Sequence, residues 1–328
     1  TSNVDRVDYS NDTATASPKG PLANAVQEMG GCSASENQIF ATGPEIPGLQ
    51  APVQPPFPFP VQLYNPATNK QYGYVGGGAY PNKSSVDRID FTNDTATAVE
   101  KGNLSNNPGQ IISASSNGTH GYLAGGHVVP VKSTISRIDY ANDTAQAAVK
   151  GPLSIARGAS SGFGNNDYGY HAGGVNFLTP VGYSTVDRVD YSNDTPTASP
   201  KGPLSATNAY QAGAGNLNYG YYVGESVPGA WGPSKSKVQR VDYSNDTATA
   251  SPKGNMNNSK ATRASVSNSN YGWFTTGYPT TSQTSRIDYS SDTSTASPKG
   301  NFWTAAYKAD GTGNPNYGYI AVGFTPAG

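Results

Sequence analysis

Cysteine is almost missing from this chain: Cys32 is the only one in 328 residues, so no disulfide can form within it. Charge is scarce too, at 13% of residues with a formal net charge of −1. That balance argues against nucleic-acid binding, which draws on a basic face. No apolar run approaches the roughly 20 residues of a membrane span, and no secretory leader is visible. The chain opens at Thr1 inside a recurring motif, as expected of a processed product or a fragment. Signatures of catalysis are also lacking. There is no H-E-x-x-H, no G-x-S-x-G, no Cys/His arrangement and no Asp box ending in Thr-Trp. The three histidines, His120, His127 and His171, show no metal-ligand spacing. The expectation is a protein that is not an enzyme and that holds no cofactor or metal.

What is present is turn chemistry and tyrosine. The chain carries 39 Gly, 25 Pro and 22 Tyr. Gly and Pro punctuate strands, and Tyr supplies apolar area that the low aliphatic content does not. A long internal repeat organises these residues. The phrase V-D-R-V-D-Y-S-N-D-T-A-T-A-S-P-K-G-P-L starts at Val4, and the place of Arg6 is taken again by Arg88, Arg137, Arg188, Arg240 and Arg286. The later copies lie 49, 51, 52 and 46 residues apart, whereas the first gap is 82. A second phrase alternates with it: Y-G-Y-V-G-G at Tyr72, G-Y-L-A-G-G at Gly121, Y-G-Y-H-A-G-G at Tyr168, Y-G-Y-Y-V-G at Tyr219, and looser forms at Tyr271, Tyr317 and Ile39.

Each unit reads as four short strands. The aromatic-Gly phrase is expected innermost, where paired glycines fit a crowded axis. The Val186–Tyr191 type follows, then the Asn-Asp turn, then a strand of the Thr195–Ser199 type ended by Pro200 and Gly202. A small-residue strand such as 158–163 completes the unit. One such sheet cannot bury both faces alone, so the units must stack in a ring. The fold class is therefore all-β: a β-propeller of about seven four-stranded blades, one of them abbreviated, in a single domain over 1–328. Six blades with an insertion between Gly43 and Tyr72 is the alternative count. The strand at Val4 and the strand at Tyr317 are expected to pair, so that both termini share one blade and seal the ring.

The G-G pair, the R-[VI]-D-Y strand and the following K-G-P-L resemble the kelch family over nearly the full chain. More narrowly, D-Y-S-N-D-T-A-T-A-S-P-K-G-P-L resembles repeats in virion proteins of marine bacteriophages, including those of cyanobacteria. That resemblance implies a virion structural protein of a fibre, tail or capsid surface, located in the particle, with other virion subunits and a host-surface glycan as partners. A secreted or cell-surface lectin-like propeller, binding carbohydrate through exposed Tyr and Asn, is the alternative.

The repeated charges look like scaffold. Arg6/Asp8, Arg88/Asp90, Arg137/Asp139, Arg188/Asp190, Arg240/Asp242 and Arg286/Asp288 each lie two apart, on one side of a strand. Such an Arg can satisfy buried carbonyls or a neighbouring blade's carboxylate. The Asn-Asp-Thr phrase is formally a glycosylation sequon at Asn11, Asn93, Asn142, Asn193 and Asn245, but a hairpin turn explains those copies and the Ser291 copy alike. Two stretches break the repeat. The Pro-rich segment 44–60 offers Pro55, Pro56, Phe57 and Phe59 as candidate partner contacts, either as a docking arm or as a loop packed on the rim. A shorter irregular stretch, 223–235, adds Trp231.

Overall fold

The computed structural model describes residues 2–34, 71–224 and 236–322, apart from positions 26, 28, 79–81, 106, 110–111, 177, 180, 258–260, 279–281 and 304–308. Within them the V-D-R-V-D pattern forms a five-residue strand in every copy. Its β-branched residues stand on both sides of the strand, so both sides must be covered. The burial agrees. In the aromatic-Gly strands at Tyr72, His120, Tyr168, Tyr219 and Tyr317 the first residue is half-buried and the other four are buried. Asp8, Asp242 and Asp288 end their strands by accepting the amide of the residue two further on, which starts a single 3-10 turn.

The strands assemble into six antiparallel four-stranded sheets, with one additional two-stranded hairpin. Blade 1 comprises Gly30–Ser33, Tyr72–Gly76, Val86–Asp90 and Val99–Lys101. Blade 2 comprises Ser113–Ser116, His120–Ala124, Ile135–Asp139 and Ala148–Lys150. Blade 3 comprises Ser161–Gly164, Tyr168–Ala172, Val186–Asp190 and Ser199–Pro200. Its second and third strands are joined through the small hairpin Val175–Asn176 and Val181–Gly182. Blade 4 comprises Ala212–Gly215, Tyr219–Val223, Val238–Asp242 and Ser251–Pro252. Blade 5 comprises Ala261–Ser267, Tyr271–Tyr278, Thr284–Asp288 and Ser297–Lys299. Blade 6 takes Asp310–Gly313 and Tyr317–Ala321 from the C-terminal end, and Val4–Asp8 and Ser17–Lys19 from the N-terminal end. The closing register runs from Val4↔Ala321 to Asp8↔Tyr317, as the repeat phase predicts.

Three expectations are corrected. The count is six, the alternative with an insertion between Gly43 and Tyr72, and not seven: each inner strand touches the inner strands on either side, and the strand at Gly30 touches both the one at Asp310 and the one at Ser113. This circle has no gap for another blade. Gly30–Ser33 pairs directly with Tyr72–Gly76, so the long first interval is an insertion between two strands of blade 1. The Ile39 phrase lies outside the described residues. The second correction is the order within a blade. The small-residue strand is innermost and the aromatic-Gly strand is second, because six inner strands converge so closely that backbone meets backbone. A Cβ on Gly31 would stand 2.4 Å from the Gly311 carbonyl oxygen. The outermost strand begins at Ser199 rather than at Thr195, and Pro200 sits within it, where an edge strand needs no amide.

Each of the six blade-to-blade contacts holds its own apolar cluster. Between blades 1 and 2 the cluster contains Tyr74 and Val86 from one and Leu123, Ile138 and Tyr140 from the other. Equivalent sets lie at the other five contacts. No helix among the described residues is long and apolar enough to cross a membrane.

Candidate functional site

The repeated arginines are consumed by the scaffold. At the contact of blades 2 and 3, Arg137 Nη1 lies 2.7 Å from Asp194 Oδ2 and Lys150 Nζ lies 3.0 Å from Asp194 Oδ1. Tyr122 donates its hydroxyl to the same carboxylate at 3.0 Å. One Asp of the Asn-Asp-Thr turn thus receives three groups from the preceding blade. The other contacts repeat this. Asp94 takes Arg6, Lys19 and Tyr319; Asp143 takes Arg88, Lys101 and Tyr74. Asp246 takes Arg188, Lys201 and Tyr170; Asp292 takes Arg240, Lys253 and Tyr221. Asp12 closes the circle with Arg286, Lys299 and the Trp273 indole N–H. Burial pushes the Asp94 carboxyl upward, but hydrogen bonds from Lys19, Tyr319 and Arg6 outweigh it and hold the group below its ordinary value.

Aromatic stacking extends each clamp. Tyr122 lies on Tyr191 of the next blade with ring centroids 4.6 Å apart, and Tyr74 lies on Tyr140 at 4.8 Å. The Arg planes cover the half-buried tyrosines that begin the second strands, as Arg88 covers Tyr72 at 4.1 Å. The second member of each predicted Arg/Asp pair has a different task. Asp8, Asp90, Asp190, Asp242 and Asp288 accept the backbone N–H and hydroxyl two residues on, and Asp139 accepts the amide of Ala141. All twelve predicted scaffold residues are therefore placed. The carboxylates that meet the arginines, Asp12, Asp94, Asp143, Asp194, Asp246 and Asp292, had not been singled out, although each recurs in every copy of the phrase.

A cavity of about 150 Å³ runs along the axis, lined by residues of all six inner strands and the turns below them. Its wall is main chain plus Ser, Thr, Asn and Gly, with Met29, Ile112 and Tyr210 among the apolar exceptions. Among the described residues one carboxylate lines it, Asp310. Asp310 Oδ2 accepts the Gly31 amide at 3.1 Å and Oδ1 accepts the Gly311 amide at 2.7 Å. Burial pushes its pKa up to about 7 against the pull of those two amides. The sequence carries a signal for it: one acid in a strand position otherwise filled by small residues.

Blade 3 contains a second polar cluster, fully enclosed. Arg157 and Asp187 pair at 2.9 Å with no side-chain exposure, and Arg157 Nη2 donates to the His171 carbonyl. The His171 ring lies between Ser113 Oγ at 2.8 Å and Ser115 Oγ at 3.3 Å. Burial, aided by the Arg157 charge, drives the imidazole down to about 3, so it is neutral at ordinary pH. No group of three or more His, Cys, Asp or Glu side chains suited to a metal occurs among the described residues.

Pro55, Pro56, Phe57, Phe59 and Trp231 lie outside the described residues. The strand ends that bound 35–70 are the end of an inner strand and the start of a second strand. Those that bound 225–235 are the end of a second strand and the start of a third. In an antiparallel blade these strand ends lie on opposite faces of the disc.

No protein-family model matches the chain, and no curated protein matches it in sequence. Among solved structures, that of YjhT matches with a TM-score of 0.63 at 8% sequence identity, over 89% of this chain and 88% of that one. At such identity the likeness concerns the fold, and 403 solved chains match this chain, so the fold by itself names no activity. The chain is a β-propeller.

Proposed function

We propose that this chain is a non-enzymatic virion structural protein of a bacteriophage: a rigid, kelch-like propeller in a fibre, tail or capsid surface that makes subunit and host-surface contacts. The resemblance of D-Y-S-N-D-T-A-T-A-S-P-K-G-P-L to marine phage virion repeats carries the reading. The physical character of the disc supports it. Every copy of the phrase is spent on joining blades, through a carboxylate that accepts three donors, a stacked aromatic pair and a main-chain bond. That bond runs from the K-G amide to the Asp carbonyl, as from Gly151 to Asp194 at 2.9 Å. Such a disc resists distortion and leaves recognition to the stretches that break the repeat, 44–60 and 223–235, with Pro55, Pro56, Phe57, Phe59 and Trp231 as the candidate contacts.

The non-enzymatic reading draws on the residues that could react. His171 is a neutral, enclosed bridge between two hydroxyls, and Ser113 and Ser115 are themselves buried. Mass spectrometry of purified virions from the source of this sequence tests the proposal. The polypeptide is expected among the particle proteins at a stoichiometry typical of a structural component. Its absence from particles that are otherwise complete would overturn the reading. A glycan array then distinguishes a host-surface carbohydrate contact from contacts made to other subunits alone.

A further inference from the structure

The six blades follow one register between their first two strands, so inner-strand residues can be compared position by position. Asp310 pairs with Ala321, Ser113 with Ala124, Ser161 with Ala172, Gly30 with Gly76, Ala212 with Val223 and Ala264 with Thr275. At this position five blades carry Gly, Ser or Ala, and blade 6 alone carries a carboxylate. The exception is unusual. Asp310 is half-buried at the cavity wall, an ionised side chain there is disfavoured without a counter-charge, and Asp310 has no cationic side chain among its described partners. A repeat protein that departs from its own pattern at a destabilising place points to a role at that place.

The surroundings define the missing partner. The Gly31 and Gly311 amides bond to Asp310 and not to the strand ladder, so that edge of the inner strands faces the axis. In an antiparallel strand the N–H and C=O of one residue leave on the same side. The shared register therefore places the carbonyls of Gly31, Ala114, Gly162, Ser265 and Gly311 in one belt at the inner edge, together with that of Gly213, which already accepts the Ser265 hydroxyl at 2.6 Å. The cavity has a volume of about 150 Å³, room for several waters or a small ion with part of its hydration shell. Among the described residues it offers one carboxylate and otherwise neutral oxygens. A divalent ion draws on several carboxylates, and no such group exists among the described residues. One carboxylate with carbonyl and hydroxyl oxygens balances a single positive charge.

We infer that the axial cavity is a binding site for a small monovalent cation, with Asp310 as its counter-charge and the inner-strand carbonyls completing the shell. Two sources share this chemistry: an alkali metal ion and a small protonated amine. The site is distinct from the scaffold role, since no clamp residue lines it.

The test measures thermal unfolding of the full chain at pH 8, where Asp310 is ionised. Sodium, potassium or methylammonium chloride replaces N-methylglucamine chloride at constant ionic strength, because that bulky cation does not fit the cavity. Binding to the folded state alone is expected to raise the unfolding temperature by about one to a few degrees at tens of millimolar cation. Asp310→Ser should abolish the rise. It carries the residue that blades 2 and 3 already hold at this position and is expected to fold; Asp310→Asn is the second variant. A rise with methylammonium alone identifies an amine site, and a rise with sodium or potassium an alkali-ion site. Rubidium-soaked crystals should then show anomalous density beside Asp310. No rise with any of the three cations, or an equal rise in both variants, would overturn the inference.

Discussion

At the scale of single residues, the chain separates charges that build from charges that cost. The six clamp carboxylates each accept an Arg, a Lys and an aromatic donor, so their burial is compensated. His171 is different: it is buried without a counter-ion, beside the Arg157 charge, and must stay neutral to remain folded. Its folded pKa of about 3 lies below the unfolded value of 6.5, so the unfolded chain binds the extra proton across that interval. Stability is therefore complete above pH 6.5 and falls as pH drops, with a slope from this group of up to about 1.4 kcal/mol per pH unit. The corresponding position in blade 2 is Leu123, so His171→Leu keeps the apolar character of the site. Urea unfolding at several pH values should show the variant losing this slope between pH 6 and 4. An unchanged slope would mean that the imidazole takes up its proton while still folded.

At the scale of the element, the K-G dipeptide shows why the repeat phrase is so nearly invariant. Gly151 donates its amide to the Asp194 carbonyl of the next blade, and a Cβ at that position would stand 1.7 Å from the Pro196 carbonyl oxygen. The same close approach recurs at Gly20, Gly102, Gly202, Gly254 and Gly300, each against the following blade's turn. Gly151→Ala should therefore force the turn of blade 3 away and cost about 3 kcal/mol, at the upper end of overpacking effects. A chemical-denaturation midpoint like that of the parent would contradict the close approach. Much of this was legible in advance. Alternating Val and Arg gave the third strand, Asn-Asp gave the turn, and the phase of the termini gave the closing ladder. The order of strands within the blade was not legible, because both Gly-rich strands are compatible with crowding. Only the pairing shows that the strands rich in Ser, Ala and Gly, and not the strands of the aromatic-Gly phrase, stand next to the axis. The clamp acids were hidden for a related reason. Asp in a turn carries a sufficient local explanation, and its partners lie in the neighbouring blade, 88 residues away in the case of Arg6 and Asp94.

At the scale of the whole molecule, the ring is sealed by hydrogen bonds and packing alone. Blade 6 joins two strands from each end of the chain, and the Val322 amide reaches the Asn3 carbonyl at 2.9 Å. The contact of blades 5 and 6 is as complete as any other: Arg286, Lys299 and Trp273 meet Asp12, and Trp273 stacks on Tyr9 with centroids 4.1 Å apart. The unfolded chain thus has to bring its two ends together, which costs loop-closure entropy that no covalent link offsets. Joining residue 322 to residue 3 by a short Gly/Ser linker, and opening the chain within 35–70, transfers that cost to a connection between two strands of blade 1. The seal in blade 6 then becomes covalent, while Gly30–Ser33 and Tyr72–Gly76 must find each other across the new termini. Such a permutant is expected to fold to the same disc, with an unfolding temperature within a few degrees of the parent, because every blade contact is retained and only the place of closure moves. The permutant's circular dichroism and melting curve check this. A permutant that fails to fold would show that residues 35–70 must link the first two strands of blade 1 covalently, and that the six contacts are not interchangeable as places to close the ring.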